Sequence, residues 1–315
     1  VEIVPIATPR RYCGWHQVAF ERELRERLTP VAIGSLPLAL VREQNRIQAI
    51  DAICPHRGAH LAYGGRLDGD AIVCPFHGHC IGIGESAQHH YRVRDYRVLS
   101  VGGLVFVLLN ERHENGFSRL MQDLDRTHFF VQGFTLVANA PAELVVENGF
   151  DGAHFECVHG LRSRPELRLL PSNNGALVVR SDFRLSAFRN AGRDDAEDPA
   201  SADIRFLAQV FSPNLCVTHL GEGETEQLVI SGATPNSDGR CTIRVSVAVP
   251  ARTDGSPPPE EGIRSLLRDS KLAYDQDLLI WEHRAHDAPS RFDEGDDLVI
   301  AFHEFCKRFQ QAASE

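Results

Sequence analysis

The run Cys54-Pro-His56-Arg57-Gly58-Ala59 and the run Cys74-Pro-Phe-His77-Gly78, with 17 residues between His56 and Cys74, decide how the first third of this chain is read. Each contributes one thiolate and one imidazole, with proline and glycine where a tight turn needs them. Two thiolates can hold one iron of a [2Fe–2S] pair and two imidazoles the other, which raises the reduction potential above that of an all-cysteine cluster. A tetrahedral zinc site uses the same ligand types and is the alternative. Zinc-finger spacing, however, puts both cysteines on one knuckle and both histidines on the other, whereas here each loop supplies one of each. Pro55, Gly58, Pro75 and Gly78 add turns that bring backbone N–H groups towards bridging sulfides, and such hydrogen bonds tune a cluster's potential.

Around these loops, residues 28–110 divide into short strands separated by turn residues: Pro30 to Gly34, Leu38 to Arg42, Ile47 to Ile53, Ala71 to Cys74 and Val101 to Asn110. This predicts a small all-β unit. Ahead of it, Val18, Leu24 and Leu28 stand among charges, a spacing that predicts a short surface helix over 18–28. From about residue 118 the strands lengthen, with alternating stretches at Ala176 to Phe188, Ile204 to Phe211, Gln227 to Ala233 and Cys241 to Val249. A second domain with a larger antiparallel sheet is expected, 1–115 and 116–315 being the two units. Asn190 to Ala202, acidic and poor in apolar residues, is expected to be an exposed loop. Ile263, Leu266, Leu267, Tyr274, Leu278 and Trp281 recur at helical spacing, and Leu298 to Phe309 forms a second such segment, so two helices close the chain.

Composition narrows the partners. The formal charge is −10, and no run of Lys or Arg could track a phosphate backbone or an anionic bilayer, so no nucleic acid and no membrane partner are expected. The longest apolar stretch, Val101 to Leu109, falls far short of the roughly 20 residues of a membrane helix. Eight cysteines scattered without a dense framework suit a reducing, cytoplasmic setting.

A second constellation lies in Glu147-Asn148-Gly-Phe-Asp151-Gly-Ala-His154-Phe-Glu-Cys-Val-His159-Gly160. Residues five apart splay by about 140° on an ideal helix, so a helix carrying His154 must end or bulge before His159, and Gly160 suits that ending. Two imidazoles and a carboxylate form the facial triad that binds Fe(II) and leaves positions open for O2 and substrate. A loose histidine pair at a helix end is the plainer reading of these residues alone. Asp275 and Asp277, inside Tyr274-Asp-Gln-Asp-Leu, are expected to line a solvated face.

Together the two patterns resemble the α subunits of Rieske non-heme iron aromatic-ring-hydroxylating oxygenases. The Cys54 and Cys74 runs are similar to the two cluster loops of that family, and Asn148-x-x-Asp151-x-x-His154-x-x-x-x-His159 matches every named position of its iron-binding segment. One departure is His79, which stands where the family has tryptophan after His-Gly. The resemblance implies an α+β chain: an N-terminal all-β Rieske [2Fe–2S] domain followed by a helix-grip, START-like catalytic domain with an antiparallel sheet. It implies cluster ligands Cys54, His56, Cys74 and His77 and iron ligands His154 and His159. It further implies a bridging role for Asp151 between one subunit's cluster and the next subunit's iron, in a homotrimer. For the third iron ligand it points to an aspartate near the start of the closing helix, Asp296 in preference to Asp297 by the family's spacing. The implied activity is that of a terminal oxygenase, mono- or dioxygenase, that hydroxylates, demethylates or dihydroxylates a small apolar or aromatic organic substrate with O2. With no convincing Gly-rich dinucleotide loop in the chain, electrons are expected from a separate ferredoxin or reductase. The competing reading is a Rieske electron carrier whose second domain only binds a ligand.

Overall fold

The computed structural model describes residues 12–44, 46–84, 87–161, 163–184, 203–286 and 288–310. The first part of the chain runs through β1 (Trp15–Phe20), β2 (Leu28–Ile33), β3 (Leu36–Glu43), β4 (Arg46–Asp51), β5 (Arg66–Asp68), β6 (Ala71–Val73), β7 (Cys80–Ile83), β8 (Tyr91–Val93), β9 (Asp95–Val101) and β10 (Leu104–Leu108). Helix α1 (Phe117–Asp125) and the long β11 (His128–Ala138) follow, then α2 (Ala142–Glu147), α3 (Gly152–Cys157), β12 (Arg168–Leu170), β13 (Leu177–Arg184) and β14 (Asp203–Ser212). The chain continues through β15 (Leu215–Leu220), β16 (Gln227–Pro235), β17 (Cys241–Pro250), α4 (Glu260–Trp281) and α5 (Asp297–Lys307).

Among the described residues these strands form three sheets: β1-β10-β9-β4-β3-β2, the small β5-β6-β7-β8, and the large β11-β17-β16-β15-β14-β13-β12. Every neighbouring pair in the large sheet is antiparallel. The α+β architecture expected from the alternating strands and the two closing helices is therefore the one formed. The acidic stretch Asn190–Ala202, expected as a loop, lies outside the described residues.

Because side chains alternate across a strand, the large sheet has two faces with different partners. Leu215, Val217, Leu228 and Ile230 turn to one side and bury against Trp15, Phe20 and Phe106 of the first sheet and Phe117 and Met121 of α1. Ala208, Val210 and Cys216 turn to the other, against Val146, Phe150 and Phe155 near α2 and α3 and Phe302 and Phe305 of α5. Ile243 and Val245 on that second face meet Tyr274, Leu278 and Trp281, the apolar stripe of α4. Helices α2, α3, α4 and α5 thus cover one face, and α1 with the six-stranded sheet covers the opposite one.

The structure corrects one expectation. Val18 to Leu28 forms no surface helix: β1 occupies Trp15–Phe20, a 3-10 turn follows at Glu21–Glu23, and β2 begins at Leu28. All six residues of β1 are buried, including His16 and Gln17, because this strand is covered on both faces. A strand covered on both faces lacks the alternation by which a half-buried strand is recognised. Polar groups complete the seam: the Trp15 carbonyl accepts from Ser212 Oγ at 2.7 Å, the Gln17 carbonyl accepts from Thr234 Oγ1 at 2.7 Å, and Arg244 donates to the Glu23 carboxylate at 3.1 and 3.2 Å. Trp15→Ala is expected to cost about 3–5 kcal/mol in urea unfolding, the usual range for a truncated core aromatic. A loss below about 1 kcal/mol would show that the seam does not depend on this ring.

Candidate functional site: two metal-binding constellations

Both cysteine–histidine runs fold into the same turn. The Cys54 N–H donates to the Ala59 carbonyl at 2.8 Å and the Cys54 carbonyl accepts from Gly58 at 2.9 Å. In the second loop the Cys74 N–H donates to the His79 carbonyl at 2.8 Å and the Cys74 carbonyl accepts from Gly78 at 3.0 Å. Gly58 (φ +78) and Gly78 (φ +73) supply the left-handed residue each turn requires. The cysteines are rooted in a core with Ile50, Leu61, Ile72 and Ile81 and are both 2% exposed. His56 is half-buried and His77 exposed, their ring centroids 4.8 Å apart. The structure therefore brings all four predicted residues to one tip of the first domain, sulfurs inward and imidazoles outward.

The electrostatics of this tip suit a metal. Burial, with the neighbouring Cys74 thiol adding to it, pushes the Cys54 thiol up, a cost that metal binding removes by replacing protons with a cation. Burial, then the nearby His79, His77 and Arg57, holds His56 below the usual histidine range, favouring the neutral imidazole that ligates metals. His56 Nδ1 is also a buried polar atom without a protein partner. Histidine 79, in the place of the family's tryptophan, stacks edge-on against His56 at 4.5 Å and against Tyr91 at 5.1 Å. It occupies the aromatic seat beside the loop, and its own carbonyl closes the Cys74 turn.

The second constellation forms where α3 faces α4. Asp151 is extended (φ −104, ψ 100) and caps α3, its Oδ1 accepting from the Ala153 and His154 N–H groups at 2.9 and 3.1 Å. The helix ends at Cys157, and Gly160 (φ +68) turns the chain after it, so His159 swings back towards His154. The two rings lie 4.5 Å apart at 80°. Between them stands Asp277 of α4: its Oδ1 is 3.0 Å from His154 Nε2 and 3.5 Å from His159 Nε2. The three side chains are 9%, 4% and 10% exposed, and their donor atoms lie within 4.8 Å of one another. Burial lowers the His159 pKa against the upward pull of Asp277, again favouring a neutral donor. Two nitrogen donors and one carboxylate oxygen within 4.8 Å of one another are the donor set that a mononuclear divalent iron takes.

Asp277 replaces Asp296 in this arrangement. The expectation that Asp277 lines a solvated face is overturned by its burial, whereas Asp275 on the same turn is exposed and pairs with Lys271. Asp296 sits before α5 with its carboxylate accepting the Asp293 N–H at 2.9 Å, and Asp297 is exposed. Both stand at the start of α5, and the Asp296 carboxylate serves a local turn. The signal for Asp277 was its phase: with Tyr274, Leu278 and Trp281 it lies on the apolar stripe of α4, where a lone carboxylate is costly unless it is paired or ligates a metal. His16, His283 and His286 bond backbone carbonyls and His89 pairs with Asp70. None of these four joins either constellation.

Residues 14–97 match the Rieske [2Fe-2S] domain, and residues 114–307 match the 3-ketosteroid 9alpha-hydroxylase C-terminal domain. The chain therefore belongs to the Rieske oxygenases that carry a 3-ketosteroid 9alpha-hydroxylase C-terminal domain. It is 25% identical over 312 residues to a probable 3-ketosteroid-9-alpha-monooxygenase oxygenase component of Rhodococcus rhodochrous, covering 90% of this chain and 77% of the relative. It is 31% identical over 148 residues to a cholesterol 7-desaturase of Hemicentrotus pulcherrimus, a match spanning 41% of this chain but 32% of that protein. The caffeine-bound NdmA structure of Pseudomonas putida CBB5 shares the fold, with TM-score 0.67 at 18% identity over 93% of this chain and 89% of that one.

Asp277→Ala is expected to abolish tight binding of a mononuclear metal while the cluster's visible absorption persists. Asp296→Ala is expected to leave metal affinity unchanged and to cost about 1 kcal/mol of stability through its lost turn. Anaerobic titration of both variants with Fe(II) against a competing chelator distinguishes them, and loss of affinity in Asp296→Ala would restore that residue as the ligand.

Proposed function

We propose that this chain is the terminal oxygenase component of a multicomponent system that oxidises an apolar, polycyclic substrate of the steroid kind with O2. The observation that carries the reading is a buried carboxylate, Asp277, held between the imidazoles of His154 and His159 in a chain that also presents a Rieske loop pair. Cys54, His56, Cys74 and His77 hold the cluster, and His154, His159 and Asp277 hold the mononuclear iron. When bound, the cluster supplies single electrons and the ferrous ion activates dioxygen. An electron carrier with a passive second domain gives no reason to bury Asp277 against two imidazoles.

The substrate class is inferred from the sheet face beneath α4. Ala233, Ile243 and Val245 make it apolar, as a hydrocarbon skeleton requires. One polar pair interrupts it: the Tyr274 hydroxyl, one helical turn from Asp277, donates to Ser231 Oγ at 2.5 Å. Burial pushes the Tyr274 phenol far above its usual range, so it stays protonated and keeps its bond to Ser231, whose own hydroxyl hydrogen is left to donate to a ketone or hydroxyl oxygen. Electrons come from a separate ferredoxin or reductase, as the name "oxygenase component" on the Rhodococcus relative implies for that protein.

A homotrimer is supported by the exposed apolar residues Ile53, Tyr63 and Phe76 around the cluster loops, at 40%, 66% and 57% exposure, which a neighbouring copy would cover. In that assembly Asp151, with one carboxylate oxygen engaged in capping α3, offers its other oxygen to a cluster histidine of the next subunit. The eight cysteines form no disulfide, as a reducing, cytoplasmic setting requires, and no described helix is long and apolar enough to cross a membrane.

With a surrogate ferredoxin and reductase, steroid ketones are expected to give an oxygenated or desaturated product dependent on O2 and on reductant. Asp151→Ala should retain both metals yet slow substrate-dependent reoxidation of the reduced cluster by at least tenfold in single turnover, about 1.4 kcal/mol on the barrier. Electron transfer through a fully loaded wild-type protein without any product across the panel would favour the carrier reading instead.

A further inference from the structure

We propose that Gln276 is a positioning residue for the mononuclear iron, fixing the tautomer and orientation of His159. The inference rests on the ligand set His154, His159 and Asp277 and goes one layer beyond it. His159 is held by two adjacent residues of α4 through its two different nitrogens. Its Nδ1 lies 2.9 Å from Gln276 Oε1, and its Nε2 lies 3.5 Å from Asp277 Oδ1. A carboxamide oxygen only accepts, so Nδ1 carries the proton and donates to Gln276. Neutral imidazole has one proton, and placing it on Nδ1 leaves the Nε2 lone pair directed at the position shared with His154 and Asp277.

The location of the two residues makes this a fixed device. Asp277 is buried on the apolar stripe of α4, and Gln276 is the next residue back, half-buried beside it. Consecutive helical residues diverge by about 100°, so one helix grips the ring from two directions. His159 itself follows the end of α3, beyond the last residue whose position the helix dictates. Its ring therefore depends on side-chain partners, whereas His154 sits within α3 with its N–H bonded to the Asp151 cap. The side-chain identity matters: a carboxylate at position 276 preserves the acceptor and makes the imidazole more basic, while leucine removes the acceptor and leaves Nδ1–H buried without a partner.

The test compares Gln276→Leu and Gln276→Glu with wild type, each with its Rieske cluster intact and its mononuclear site emptied anaerobically. Cobalt(II) is the probe. Gln276→Leu is expected to lower Co(II) affinity by roughly 10–100-fold, the usual effect of losing such a partner, and Gln276→Glu to retain it within a few-fold. In the proton spectrum of the Co(II) protein, the shifted exchangeable ring N–H of His159 should persist in wild type and Gln276→Glu and exchange with water faster in Gln276→Leu. Unchanged Co(II) affinity in Gln276→Leu, or an equal loss in both variants, overturns the proposal. Asp277→Ala run alongside separates the two levels: if it too binds Co(II) as wild type does, the ligand set fails, and if it alone loses binding, only the role of Gln276 fails.

Discussion

A carboxylate removed from water is the constraint around which the catalytic half is arranged. An isolated buried carboxylate is costly enough that proteins protonate it, pair it or give it a metal. Asp277 is 7% exposed, with one oxygen pointed at two imidazole nitrogens. Meeting that condition fixes much else. Helix α3 must stop within six residues so that His159 can return to His154, and α4 must run along the large sheet so that one turn presents Gln276 and Asp277 to them. The sheet must then be apolar on this face, since Tyr274, Leu278 and Trp281 flank the carboxylate and need a partner surface.

The opposite face of the same sheet serves the other centre. The cluster-type loops lie on a domain that packs through Trp15, Phe20 and Phe106 onto Leu215, Val217 and Ile230, while Cys216 between the last-named strands' residues looks towards the helices. A seven-stranded sheet thus acts as a wall between the two constellations within one chain. The imidazole of His77 and the apolar side chains of Ile53, Tyr63 and Phe76 beside it are exposed.

Much of this was legible before any coordinates. The Cys54 and Cys74 loops are local devices, in which proline, glycine and ligand spacing specify the turn, and they form as read. Spacing also dictated the end of α3 before His159 and the glycine that follows. What escaped was set by tertiary context. The β1 residues His16 and Gln17 look like surface residues and are buried because two domains close over them. Asp277 reads as one polar residue among several on α4 until its phase with Tyr274 and Trp281 is compared with that of exposed Asp275. Asp296 was favoured by the family's spacing to the closing helix, and spacing along the chain carries no information about which carboxylate packs against a distant histidine pair.

One chain is proposed to assemble two iron centres, with Asp277 completing the second. Mössbauer spectroscopy of the anaerobically prepared, 57Fe-enriched protein measures this directly, because each iron environment contributes its own area. The account predicts that the two sites of a histidine-ligated cluster are joined by a third, high-spin ferrous site of equal area. A spectrum containing the cluster alone, in protein given excess ferrous iron, would contradict it.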